Sequence, residues 1–365
     1  MKGSVGIKVL VAILVILVIV AGVLIGMKVI KDKKENEVDS NVNEQNEPII
    51  VEKKEPKTFS GTDRPIAVMI DNHKQAMPQA ALNDAYMVYE IIVEGGETRL
   101  MALYKGVNLE KLGPIRSSRH YFLDYALEND AIYVHFGWSP QAQADITRLG
   151  VNNINGIYES STSFWRVKDK YAPHNAVTNT EKVLEIANRK GYETTSTQKS
   201  VLKYVADPVN LNSNIEATTV TIPYSTSNTV RYEYDEVTGR YTRYSRNTKQ
   251  VDWDTEETVT TKNIIIVKCE NWTLNDGENK GRQTLDNVKT LEGWYVTNGK
   301  AIEITAEKTS RAGQTVYRDL QGNEIEVNDG NTFVQICPID SKVEIAPGAP
   351  VAETTTTNEV NNNNI

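Results

Sequence analysis

Nineteen consecutive residues, Val9 to Met27, carry no charge and are dominated by Val, Ile and Leu. At a helical rise of 1.5 Å per residue this run spans roughly 28 Å, close to the hydrocarbon thickness of a bilayer. A cleaved signal peptide would have a shorter apolar region ending in an Ala-x-Ala-like site, and none follows here. No cysteine follows the run either, since the only two are Cys269 and Cys337, so a lipid-modified cysteine is not expected. The sequence therefore predicts a single N-terminal transmembrane helix within residues 1–30 and makes the membrane a partner. Lys2 and Lys8 precede the run; Lys28, Lys31, Lys33 and Lys34 follow it. A positive-inside count on those lysines would keep the body in the cytoplasm. Residues 31–61 read as a charged linker, rich in Lys, Glu, Asn and Asp with little to build a core.

The remaining chain changes character once. From 62 to 193, strand signals alternate with helix signals, which predicts an α/β or α+β first domain. Arg64 to Ile70 reads as a buried strand. Tyr86 to Val93 and Thr98 to Tyr104 read as a hairpin about Glu94-Gly95-Gly96-Glu97, and Ala131 to Phe136 as another strand. A short helix is predicted over Ala80 to Ala85. Further helices are predicted to end near Glu128, to start behind Ser139, and to run from Asn179 to Arg189 before Gly191. Residues 194–216 are polar and read as a linker. Residues 217–341 show short strands and turns, which predicts a mostly β second domain. Residues 342–365 are Thr- and Asn-rich and read as disordered.

Chemistry concentrates in the first domain. In GPIRSSRHYF, residues 113–122, Gly-Pro stops the preceding element and Ser117 or Ser118 is placed to cap a helix. Arg116, Arg119 and His120 would then lie in the cap and first turn, where the helix macrodipole is already positive. An anion should sit there, either the protein's own carboxylates or a ligand. Asp71 and Asn72 follow one predicted strand, Glu94 another and His135 a third. If those strands are parallel, these groups converge at their carboxyl ends. The candidate ligand-binding set is Asp71, Asn72, Glu94, Arg99, Arg116, Ser117, Arg119, His135, His174 and Asn175. The alternative is a buried network in which Arg116 and Arg119 pair with Glu90, Glu94 or Glu97.

Other chemistries find less support. His73, His135, His174 and Asp71 are metal-ligand types without metal-site spacing, so no metal and no cofactor are expected. No GxSxG elbow surrounds a serine. Glu94 and Glu97 could cleave a glycan, but they flank an apparent turn. Trp138, Trp165 and Tyr121 could stack on sugar rings, with core packing as the plainer reading. A net charge of −8 and a pI near 5.3 argue against nucleic acid.

Several long motifs resemble one family: RPIAVMIDN at 64–72, VYEIIVEGGETRLMALY at 88–104, GPIRSSRHYF at 113–122, DAIYVHFGWSP at 130–140 and APHNAVT at 172–178. Looser ones are YEYDEVTGRY at 232–241, VTTKNIIIVK at 259–268 and DGNTFVQICP at 329–338. They are similar to the YerB-like lipoproteins of Gram-positive bacteria, a family of unknown function. The resemblance implies an α/β first domain, a β-rich second one and anchorage outside the cytoplasm, against the lysine count. Family members typically carry a lipid-modified Cys; here the apolar run stands in for it. Two readings follow. One is an extracytoplasmic binding module for cell-wall glycan or for envelope proteins. The other is a hydrolase or transferase working through Arg116, Arg119, His135, Glu94 and Asp71. Two buried thiols are expected at Cys269 and Cys337, with a disulfide as the alternative.

Overall fold

The computed structural model describes residues 54–348. The predicted transmembrane helix, most of the charged linker and most of the tail lie outside the described residues. Among the described residues no helix is long and apolar enough to cross a membrane.

Strands dominate both halves. The first contributes β1 (Ile66–Asp71), β2 (Met87–Ile92), β3 (Thr98–Tyr104), β4 (Ile132–His135) and β5 (Asn153–Asn155). Its helices are short: α1 (Phe122–Glu128), α2 (Pro140–Arg148) and α3 (Thr180–Arg189). Ser139 and Asn179 cap α2 and α3 as their positions suggest, accepting from the Ala142 and Lys182 amides. The predicted helix over Ala80 to Ala85 shrinks to one 3-10 turn at Leu82–Asp84.

The second half contributes β6 (Thr219–Ser225), β7 (Asn228–Asp235), β8 (Arg240–Ser245), β9 (Asn263–Cys269), β10 (Thr290–Thr297), β11 (Lys300–Glu307), β12 (Val316–Asp319), β13 (Thr332–Pro338) and β14 (Glu344–Ala346). The halves share one eleven-stranded sheet, ordered β12-β11-β10-β9-β13-β2-β3-β1-β4-β5, with Ile215–Glu216 beside β11. The seam is β13, which runs parallel to both β9 and β2. β6, β7, β8 and β14 belong to a second sheet of six strands. The polar stretch 194–216 is built in as well, since Lys203–Val205 pairs with Glu326–Asn328 and Tyr204 is buried. The start of the expected disordered tail forms β14 instead, which pairs with β6.

The period-2 pattern of strands sends alternate residues to opposite faces. One face of the large sheet, with Val68, Val88, Ile266 and Phe333, packs against Val220, Ile222 and Tyr232 of the second sheet. The other face, with Met69, Tyr89, Ile265 and Val334, packs against Phe122 and Leu123 of α1.

A ring of buried polar side chains lies between the sheets. Arg243 on β8 donates to Glu90 on β2 at 2.6 Å, and both side chains are fully buried. Arg243 also donates to Gln250, Gln250 to Gln79 at 2.6 Å, and Gln79 to Asn72 at 3.0 Å. Asn72 closes the ring by donating to Glu90 at 3.0 Å. Asn72, expected at a ligand, is therefore a structural link. Its amide is consumed by Glu90, Thr98 and Gln79.

The cysteines are free and buried. On the parallel pair β9 and β13, Cys269 lies opposite Pro338 and Cys337 opposite Lys268. The one-residue offset puts them on opposite faces, so the sheet separates the two sulfurs.

Two predictions follow from this packing. Arg243→Met leaves the Glu90 carboxylate buried without its partner and should cost about 3–5 kcal/mol of stability in denaturant titrations. The double variant Glu90→Gln/Arg243→Met should recover much of that loss. A cost below about 1 kcal/mol for the single variant would contradict the ring's structural role. Mass measurement of denatured, unreduced, alkylated protein should show two added groups, whereas none added would establish a disulfide.

Candidate functional site

β1 and β2 both run antiparallel to β3, and β4 runs parallel to β1. The carboxyl ends of β1, β2 and β4 therefore share one edge, which places Asp71, Glu94 and His135 on the same side of the fold. GPIRSSRHYF reaches that edge differently from its predicted form. Helix α1 starts only at Phe122, and no side chain caps it. Arg116 to Ser118 run extended instead. The Arg116 amide donates to the Met69 carbonyl at 2.9 Å, and the Ser118 amide to Gly137 at 2.9 Å. Ser117 donates to the Phe136 carbonyl at 3.0 Å, and Ser118 accepts from Tyr133 at 2.8 Å. The serines are spent on the neighbouring strand end, so the predicted cap is not made.

Asp71 is the hub of the site. Its Oδ2 accepts from His174 Nδ1 at 2.7 Å and lies 3.2 Å from Arg116 Nε. Its Oδ1 accepts from the His73 amide at 3.1 Å. The His73 ring stacks on His174, with centroids 4.6 Å apart and planes 13° from parallel. Burial, helped by His174 and Arg246, lowers the His73 pKa against the pull of Glu97 and Asp71. Beside this pair, Glu94 accepts from Arg119 and lies 3.5 Å from Arg99. Burial pushes the Glu94 carboxyl up, but Arg119 and Arg99 outweigh it and hold it below the ordinary range. Arg99 is buried and donates to the Ser117 carbonyl. Burial, with Arg119 and Arg116 nearby, lowers it to about 10.

Six of the ten sequence candidates thus come together: Asp71, Glu94, Arg99, Arg116, Arg119 and His174. Three guanidinium groups meet two carboxylates. Arg116 is the open member, with its side chain 25% exposed. Its Nη groups meet no protein acceptor among the described residues.

The other four do different work. His135 is fully buried, held by the Gly137 carbonyl at 2.8 Å and by Asn153 at 3.2 Å. Burial drives its pKa down to about 4, so it stays neutral and sealed at physiological pH. Asn175 pins the preceding loop through the Val167 and Lys170 carbonyls and accepts from Arg166. Ser117 and Asn72 are structural, as described. Sequence reasoning missed Arg246, which reaches across from the second half to Glu97 and to the Asn72 carbonyl at 3.1 Å. It sits in the turn after β8 at φ +51, a setting that reads as an ordinary exposed turn.

The comparisons agree with this architecture. Residues 52–193 match the protein of unknown function (DUF3048) N-terminal domain, and residues 220–334 match the DUF3048 C-terminal domain. A curated relative from Bacillus subtilis (strain 168), "Putative lipoprotein YerB", is 30% identical over 79% of this chain and 83% of its own. The crystal structure of the YerB protein from Bacillus subtilis superposes with a TM-score of 0.69 at 29% identity. That match covers 80% of this chain and 97% of the other. The chain belongs to the DUF3048 family of proteins of unknown function, with both of its domains present.

Proposed function

We propose that this protein is an extracytoplasmic, membrane-tethered binding module of the bacterial envelope, and that it receives an anionic group at the Arg116 face. The single observation that carries the reading is Arg116 itself. Its Nε is fixed by Asp71 while a quarter of its side chain is open, and it stands in a cluster with more guanidinium than carboxylate groups. A planar guanidinium held at one edge presents its remaining donors in a geometry suited to carboxylate or phosphate. The positive site is local, because the whole chain carries a net charge of −8. Long-range attraction thus cannot explain binding there, and direct contacts must.

The envelope setting draws on two supports: the relative's name as a lipoprotein and the apolar run Val9 to Met27. The run would do the anchoring that a lipid does elsewhere, with cell-wall glycan or wall-assembly proteins as the partners within reach.

The enzymatic reading keeps one supporting observation. Asp71 fixes His174 through Nδ1, which is the orientation of an imidazole whose Nε2 can move a proton. His135, its expected catalytic member, is sealed and does not serve it.

Arg116→Ala should weaken binding of an anionic polymer such as oligogalacturonate roughly tenfold to a hundredfold, the scale of a lost charge-assisted hydrogen bond. Its melting temperature should fall less than that of Arg99→Ala, because buried Asp71 keeps the His174 ring and the His73 amide as donors. Arg99→Ala should instead unfold or melt far lower, since it strips a buried partner from Glu94. Calorimetric titration and thermal melts check both. Unchanged affinity in Arg116→Ala would overturn the reading.

A further inference from the structure

The chain holds seventeen tyrosines. Among the described residues only two, Tyr158 and Tyr171, fall in the exposed class, at 71% and 87%. Tyr171 lies in the loop that leads into His174, and Tyr158 in a turn whose Ile157 approaches Ser117 across Gly137. The Tyr171 carbonyl accepts from the His174 amide at 2.8 Å, so its loop is the one that delivers His174 to Asp71. Tyr158 ends the short turn Gly156–Tyr158, beside Ile157, which is 53% exposed. Gly137 joins that turn to the arginine segment. A Cβ at this position would stand 3.0 Å from Ile157 and 3.2 Å from the Ser117 hydroxyl, and its φ is +83. Glycine therefore keeps the ground between Ser117 and Ile157 free of any side chain.

The Tyr158 ring is supported from below. It packs on Trp138 with centroids 5.7 Å apart, and Trp138 packs on the buried His135 at 5.5 Å. Trp138 and Tyr158 line a cavity of about 250 Å³ shared with Gln143, Asn153, Glu159 and Lys190, the Glu159 carboxylate being paired with Arg189 and Lys190. That is below the roughly 300–1,000 Å³ of drug-sized pockets, so it suits one ring of a longer ligand. Aromatic faces ringed by amide, hydroxyl, amino and carboxylate groups present both an apolar plane and the hydrogen-bond partners of sugar hydroxyls. A protein anchor site would be expected to have a broader apolar surround.

We infer that the ligand of the Arg116 face is an anionic glycan. Its charged substituent meets Arg116 and its sugar rings lie on the Tyr158 and Tyr171 faces. The inference rests on the anion-binding reading above and specifies its substrate class. Carboxylate and phosphate substituents are equivalent to a guanidinium, so the chemistry named is a saccharide chain bearing either.

The test is calorimetric titration of the full-length protein with four probes: oligogalacturonate, phosphomannan fragments, neutral mannan fragments and inorganic polyphosphate. A fifth titration uses a poly-glutamate peptide. At least one charged glycan should bind more tightly than polyphosphate, neutral mannan and the peptide. Which of the two binds identifies carboxylate or phosphate. Tyr158→Ala should weaken that glycan about fivefold, the scale of an aromatic contact, and Tyr158→Phe should retain it. Tyr158 is 71% exposed, so both variants should keep the fold. Polyphosphate should be indifferent to either tyrosine variant but weakened by Arg116→Ala. Equal binding of glycan and polyphosphate, both insensitive to Tyr158→Ala, would overturn the glycan inference while sparing the anion site. Tighter, tyrosine-dependent binding of the peptide would overturn it in favour of a protein partner. No binding of any anion would overturn both readings.

Discussion

The ion pair between Glu90 and Arg243 is the interaction on which the rest of the structure depends. Two charges removed from water cost several kcal/mol each unless attraction and hydrogen bonds repay it. Here they are repaid in full on the carboxylate side. Glu90 accepts from Arg243, Asn72 and Thr98. Burial alone would lower the Arg243 pKa, but Glu90 outweighs it and holds it above the ordinary range. Only Nε of Arg243 is left without a partner. Because Glu90 lies on the shared sheet and Arg243 on the second sheet, the pair fixes one sheet over the other. On the opposite face Glu128 performs a similar task, accepting from Lys308 at 2.7 Å and from Tyr89 at 2.7 Å.

This arrangement links the fold directly to the site. Asn72 belongs to the ring, and the residues on either side of it, Asp71 and His73, belong to the site. Arg246, three residues after Arg243, bonds the Asn72 carbonyl and Glu97. A shift of the second sheet would therefore reach Asp71 through a single peptide. Binding residues work best when supported by rigid elements whose own partners are satisfied. Here the carboxyl ends of β1 and β2 provide that support, and the exposed loops carrying Tyr158 and Tyr171 stand outside it.

Local signals in the sequence were informative and distant ones were not. β1, the β2–β3 hairpin and the caps at Ser139 and Asn179 were readable because pattern and turn chemistry act within a few residues. The convergence of Asp71, Glu94 and the arginines was also readable, given parallel strands. The role of Asn72 was not, because the ring it belongs to is completed by Gln250 and Arg243 of the second half, with Glu90 and Arg243 separated by 153 positions. Ser117 and Ser118 looked like caps because Ser before an apolar run usually is one. Pairing with the end of β4 overrode that preference and delayed the helix to Phe122. His135 carried the right chemistry at the right strand end, yet nothing local shows that Asn153 and Gly137 close over it. The seam at β13 was hidden for the same reason: its apolar run fits a strand in any sheet, and the sequence does not name its neighbours.

The shared sheet and its buried ring make one cooperative structure of the two family domains. Native-state hydrogen exchange tests it most directly, by comparing amides of β2 in the first half with those of β9 and β13 in the second. The slowest amides in all three strands should exchange with the same opening free energy, equal to that of global unfolding. Two separate opening free energies, one for each half, would contradict it.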